Sequence, residues 1–233
     1  MMPADRTAYP VILTNLNQVR CVVVGGGAVA ERKVRDLLAA GARPCVISPA
    51  LTEMLAAWRD SGDLEHIPRC YEDGDLAGAF LAIAATGKRE VNAAVAEEGA
   101  RRGMLVNIAD DPASGNFHTV AAVRRGDLLL TVSTGGRSPA LSALIRRDLE
   151  LHYGPAYGTL LDNLSRLREG PARRLKPQQR AMLWRRLICE EVVGWLRDGA
   201  LEKIARHADE QLSAVQEETT RAPQSTTALN TRT

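Results

Sequence analysis

Along the first hundred residues two hydrophobic patterns alternate. Short, largely apolar runs at 20–24 (RCVVV), 44–47 (PCVI), 64–67 (LEHI), 80–84 (FLAIA) and 104–108 (MLVNI) have the length and content of strands, several of them covered on both faces. Between most of them lie stretches with helical spacing, at 28–40, 51–61 and 89–102. In the first of these, Val29, Val34, Leu37 and Leu38 fall on one face, Glu31, Arg32 and Arg35 lie opposite, and Gly41 supplies a stop. Alternation of this kind predicts right-handed βαβ units and a doubly wound parallel sheet.

After Asp110 the pattern changes. Residues 116–136 predict two strands around a turn at Arg125-Gly126-Asp127, and 138–154 a helix with Ser138 as N-cap and Pro139 in the first helical position. From 155 to about 207 the chain reads as helical, interrupted at 168–177. Trp184, Leu187, Ile188, Val192, Trp195 and Leu196 form an apolar stripe there. From 209 the sequence is polar and Thr-rich, and disorder is expected. The expected division is thus an α/β domain over 1–112, a small strand–helix region over 113–150, a helical region over 151–208 and a tail over 209–233.

Composition narrows this only a little. With 233 residues, 45% hydrophobic and 25% charged, the chain suits one α/β domain plus an appendage. A formal net charge of +2 gives no argument for nucleic acid or a membrane surface as partner. No apolar run approaches the roughly 20 residues of a membrane span, and the N-terminal stretch lacks the apolar core of a signal peptide. Cys21, Cys45, Cys70 and Cys189 are widely separated, with no C-x-x-C spacing and no neighbouring His. They read as reduced thiols of a cytoplasmic protein, and no metal site is predicted.

The chemistry sits where strands end. Gly25-Gly26-Gly27-Ala28-Val29-Ala30 fits G-x-G-x-x-A between a strand and a helix, an arrangement that turns backbone N–H groups and a helix N-terminus toward a pyrophosphate. This predicts a Rossmann-like domain with a dinucleotide at the glycine turn, or else a glycine turn in an empty domain of that kind. The acidic ribose ligand expected about 20 residues on is missing, because the second strand runs into Ser48, Pro49 and Ala50. Ser48 can bond a ribose, no Arg stands there for a 2′-phosphate, and the balance favours NAD. In "NIADDP" Asp110 and Asp111 follow the last strand of the domain. One of them can serve as an acid/base, or both can be turn residues. "STGGRSPA" offers Ser133, Thr134, Gly135, Arg137 and Ser138 to an anion, or its hydroxyls as caps.

Together "VVVGGGAVAERK", "FLAIAAT", "VNIADDP" and "TVSTGGRSPAL", in this order and followed by a helical end, resemble the N-terminal module of siroheme synthases and the stand-alone precorrin-2 dehydrogenase/sirohydrochlorin ferrochelatase enzymes. The resemblance runs from about Tyr9 to about residue 205. It implies a homodimer whose strand–helix region serves dimerisation and substrate binding. It also implies NAD-dependent oxidation of precorrin-2 to sirohydrochlorin, in many members followed by insertion of Fe2+. The family's catalytic aspartate falls on Asp110, and its cofactor contacts on Gly25 to Val29 and on Ser48, Pro49 and Ala50, with Thr86 lining the nicotinamide crevice. A tetrapyrrole with eight carboxylates suits Arg137, with Arg124 or Arg146. One departure is Val120, where many relatives carry Pro. Two alternatives stay open: a dehydrogenase that leaves chelation to another protein, and a non-catalytic NAD-sensing dimer.

Overall fold

The computed structural model describes residues 8–220. Its first half alternates β1 (Arg20–Val24), α1 (Ala28–Ala39), β2 (Cys45–Ile47), α2 (Glu53–Asp60), β3 (Glu65–Ile67), β4 (Ala79–Ala84), α3 (Arg89–Arg102) and β5 (Leu105–Ile108). All five strands are parallel, in the order β3-β2-β1-β4-β5, with Val24 opposite Ile47 on one side and Ala84 on the other. Strand order therefore reverses at β1, and the carboxyl ends of β1 and β4 form the topological switch point where such sheets bind ligands.

Each apolar strand feeds two cores. Cys21, Val23, Val46 and Ile83 pack with Ala30, Val34 and Leu37 of α1 and Leu55 of α2. Val22, Val24, Ile47, Ala84 and Ile108 pack on the other face with Val95 of α3. Full burial of a Val, Leu or Ile contributes about 1.5–3 kcal/mol, far more than helix propensity supplies per residue, so two-sided burial sets this architecture. One assignment on α1 is corrected. Val29 is 43% exposed, and the inner face is Ala30, Lys33, Val34 and Leu37. Val29 lies in the first turn of α1, whereas Lys33 is buried and its ammonium donates to the Thr119 hydroxyl. Burial pushes the Lys33 pKa down, Arg32 adds to this, and Asp36 opposes it.

A second buried charge, Glu98 of α3, organises the chain before β4. Its carboxylate accepts from the Tyr71 hydroxyl, from Gly74 N–H (3.1 Å) and Leu76 N–H (3.3 Å), and from Arg102 Nε (2.6 Å). Burial alone would raise its pKa. The Tyr71 hydroxyl, Arg102 and Gly74 N–H outweigh that and hold it below the ordinary carboxylate range.

This compact unit extends through Thr119 and includes Gly135–Arg137, past the boundary expected at 112. Asn116 explains the extension: its N–H bonds Val106 O at 2.9 Å, its Oδ1 accepts from Val106 N, and its Nδ2 donates to Met104 O, sewing the segment to the edge of β5. Asn107 Nδ2 adds a bond to Phe117 O at 2.9 Å. The expected strand at 116 consequently starts only at Ala121.

The second unit opens with an antiparallel hairpin, β6 (Ala121–Arg125) and β7 (Leu128–Val132), followed by α4 (Pro139–His152). Arg125 ties hairpin to helix through Nε to Tyr153 O at 2.8 Å. Then come α5 (Ala156–Glu169), α6 (Pro177–Leu187), α7 (Glu190–Arg197) and α8 (Leu201–Thr220). The single apolar stripe is in fact split by the break at Cys189. Leu183 and Leu187 pack with Val215, while Val192 and Leu196 pack with Ile204, and Ile188 is left exposed. Residues 209–220 are helical rather than disordered, because Leu212 and fully buried Val215 dock α8 into the first of these clusters. The remainder of the expected tail, 221–233, lies outside the described residues. All four cysteines are free thiols, and no described helix is long and apolar enough to cross a membrane.

Candidate active site

The three glycines after β1 sit in three different environments. Gly25 has φ +122°, and a Cβ there would lie 2.5 Å from the Ala85 carbonyl oxygen after β4. Gly26 has no room either: a Cβ would stand 1.9 Å from Ala50 O and 2.6 Å from Ser48 Oγ. Gly27, in extended conformation as the N-cap of α1, would meet nothing within 4 Å. Gly27 also offers no side-chain cap. With open space at Gly27 and the unbonded N–H groups of a helix N-terminus, the head of α1 offers a cradle that fits an anionic dinucleotide phosphate.

Of the turn after β2, Ser48 is buried and donates its hydroxyl to Ala50 O at 2.8 Å, while its own carbonyl lies 2.9 Å from His66 Nε2. Pro49 and Ala50 are exposed. Ser48 therefore shapes the turn against which Gly26 packs. Beyond β3, Arg69 makes a fork to Asp75, with NH1 2.8 Å from Oδ2 and NH2 2.7 Å from Oδ1.

Across the switch point, one side chain bridges the turns that follow β4 and β5. Asn92, in the first turns of α3 and 2% exposed, accepts from Thr86 N–H (3.3 Å) and Thr86 Oγ1 (2.7 Å). It donates to Thr86 O (3.1 Å) and to Asp110 Oδ1 (2.7 Å). Asp110 is exposed, and with Arg89, Asn92, Ala93, Ile108 and Asp111 it lines an open depression of about 350 Å³. Asp111 serves a different purpose. Its Oδ1 accepts from Ala113 N–H and its Oδ2 from Ser114 Oγ, capping the 3-10 turn Pro112–Ser114. The pair thus divides into one carboxylate open to the depression and one engaged in a turn. Asn107 of β5, next to this edge, has a buried Oδ1 with no partner among the described residues.

In the "STGGRSPA" segment Thr134 and Ser138 are engaged in capping. Thr134 Oγ1 accepts from Ser138 N–H (3.2 Å) and lies 3.0 Å from Ser142 Oγ. Ser138 Oγ accepts from Leu141 N–H at 3.2 Å, as the first-turn cap of α4. Gly135 and Gly136 take left-handed conformations, and Ser133 and Arg137 are exposed. Neither Asn92 nor Glu98 was singled out by motif. Among the described residues no cluster of three or more His, Cys, Asp or Glu side chains could hold a metal.

A parallel sheet of this order, a glycine cradle at its switch point and a carboxylate at the neighbouring strand end define a nicotinamide-dinucleotide-binding protein of the Rossmann class, and residues 12–121 match a family model described as NAD(P)-binding. Residues 125–152 match the model of the central part of sirohaem biosynthesis proteins. The chain belongs to the family formed by the N-terminal part of siroheme synthases and by precorrin-2 dehydrogenases. It is 37% identical over 187 residues to siroheme synthase 1 of Aeromonas salmonicida, covering 80% of this chain and 40% of that one. It is 43% identical over 152 residues to the siroheme synthase of Chromobacterium violaceum, covering 65% and 32%. The chain thus spans less than half the length of these curated relatives. Among solved structures it is similar to SirC, a precorrin-2 dehydrogenase, with TM-score 0.73 and 27% identity, over 90% of this chain and all of that one.

Proposed function

We propose that the protein oxidises precorrin-2 to sirohydrochlorin with NAD+. The observation that carries this reading is the exposed Asp110 carboxylate at the end of β5, held by Asn92 next to the glycine cradle's switch point. Dehydrogenation removes a hydride and a proton from the macrocycle. NAD+ supplies the hydride acceptor. Asp110 Oδ1 is engaged by Asn92, so the proton is received on Oδ2. The balance is precorrin-2 plus NAD+ giving sirohydrochlorin, NADH and one proton.

NAD is preferred to NADP in this reading because the cation past β3, Arg69, is held in a fork by Asp75 rather than left for a 2′-phosphate. Ser133, Gly135, Arg137 and the capped turn of Thr134 and Ser138 meet substrate carboxylates. Two copies associate through α4, which has no buried residue in the single chain and leaves Leu141, Leu144 and Leu151 exposed. Free thiols at Cys21 and Cys45 support a reducing, cytoplasmic setting.

Insertion of Fe2+ follows at the same carboxylate. The macrocycle nitrogens ligate the iron, two pyrrole N–H protons leave, and Asp110 accepts them in turn. The likeness to a precorrin-2 dehydrogenase over that protein's whole length favours a second reading, in which oxidation is the only activity. Adding Fe2+ to purified sirohydrochlorin with the protein separates the two. For oxidation itself, Asp110→Asn lowers kcat by at least about 100-fold while NAD+ binding persists. Wild-type kcat in that variant would refute the assignment.

A further inference from the structure

We infer that Asn92 is a positioning residue that fixes one oxygen of Asp110 and leaves the other to receive the proton. This rests on the reading of Asp110 as the proton acceptor. Asn92 makes four hydrogen bonds, the full capacity of a side-chain amide, and its partners dictate which end is nitrogen. Thr86 N–H can only donate, so it faces Oδ1. The Thr86 carbonyl and the Asp110 carboxylate face Nδ2. The amide is 98% buried, so water does not compete for these bonds. Anchored on Thr86 through three bonds, it holds the carboxylate of Asp110 through the fourth.

The arrangement does more than hold a loop. A loop anchor needs only the Thr86 bonds, whereas the fourth bond puts an N–H donor 2.7 Å from a carboxylate oxygen. Such a donor occupies Oδ1 and leaves Oδ2 to receive the proton. The other charged groups lining the depression are Arg89 at the head of α3 and Asp111, which is engaged with Ala113 and Ser114.

The test is Asn92→Asp, which has the same shape and retains an acceptor for Thr86 but replaces the donor by a second carboxylate beside Asp110. Two carboxylates so close share a proton, and the shared site releases it at higher pH. The acid limb of the kcat–pH profile for precorrin-2 oxidation is expected to move up by at least about one pH unit, with a loss of about tenfold or more at pH 7. Should Asn92→Asp not fold, judged by circular dichroism, Asn92→Ser withdraws the donor instead, and its acid limb moves the same way. A wild-type pH profile in the folded variant overturns the proposal. Asp110→Asn run in parallel tells the two failures apart. If it is inactive while the Asn92 variants keep a wild-type profile, only the role of Asn92 falls. If it is fully active, the reading of Asp110 falls, and this proposal with it.

Discussion

A Cβ on Gly26 would stand 1.9 Å from the carbonyl oxygen of Ala50. The second glycine of the cradle is therefore fixed by its protein neighbour, and the third by the space in front of it. Alanine substitutions separate these roles. Gly26→Ala forces backbone apart and is expected to destabilise the fold by about 1–3 kcal/mol, read as a lower Tm. Gly27→Ala meets nothing in the protein, so Tm stays near wild type while NAD+ affinity falls by about tenfold or more, measured by calorimetry. Equal Tm losses in both variants would argue against a ligand cradle.

Cofactor choice is tested at the Arg69–Asp75 fork. Asp75→Ala releases the guanidinium and is expected to narrow the preference for NAD+ over NADP+, read as the ratio of kcat/KM values. An unchanged ratio would remove Arg69 from the account.

The buried Glu98 carboxylate predicts a pH-dependent stability. Its folded pKa is depressed by its donors, so it contributes stability above its unfolded value of about 4.3 and loses it as pH falls through the folded value. Glu98→Gln is expected to cost about 2–4 kcal/mol at pH 7 and to flatten the decline of Tm below about pH 4. A parallel shift of Tm at every pH would contradict this.

Association through α4 is tested by Leu144→Glu with Leu151→Glu, two exposed apolar positions. The wild type is expected to sediment as a dimer and the double variant as a monomer with unchanged helix content. Dimers in both would move the interface elsewhere.

Much of the first unit was legible in the sequence, because strands buried on both faces must be apolar throughout and the glycine turn lies between such a strand and an amphipathic helix. The Asp110–Asp111 pair was legible from its place after β5, and the resemblance pointed to Asp110 within it. The engagement of Asp111 with Ala113 and Ser114 shows only in the structure. Asn92 and Glu98 left a faint signal, polar residues on the same helical face as Val95 and Gly99, and that face proves to be the buried one. Their partners, Thr86, Asp110 and Tyr71, are distant in sequence, so pattern alone could not assign them. The helix beyond 209 was hidden because two apolar residues, Leu212 and Val215, suffice to dock it.

The most direct measurement is anaerobic incubation of the purified protein with precorrin-2 and NAD+, following sirohydrochlorin and NADH by absorbance. One equivalent of NADH is expected for each sirohydrochlorin formed, and neither product with Asp110→Asn. A protein that binds NAD+ yet leaves precorrin-2 unoxidised would contradict the proposed function.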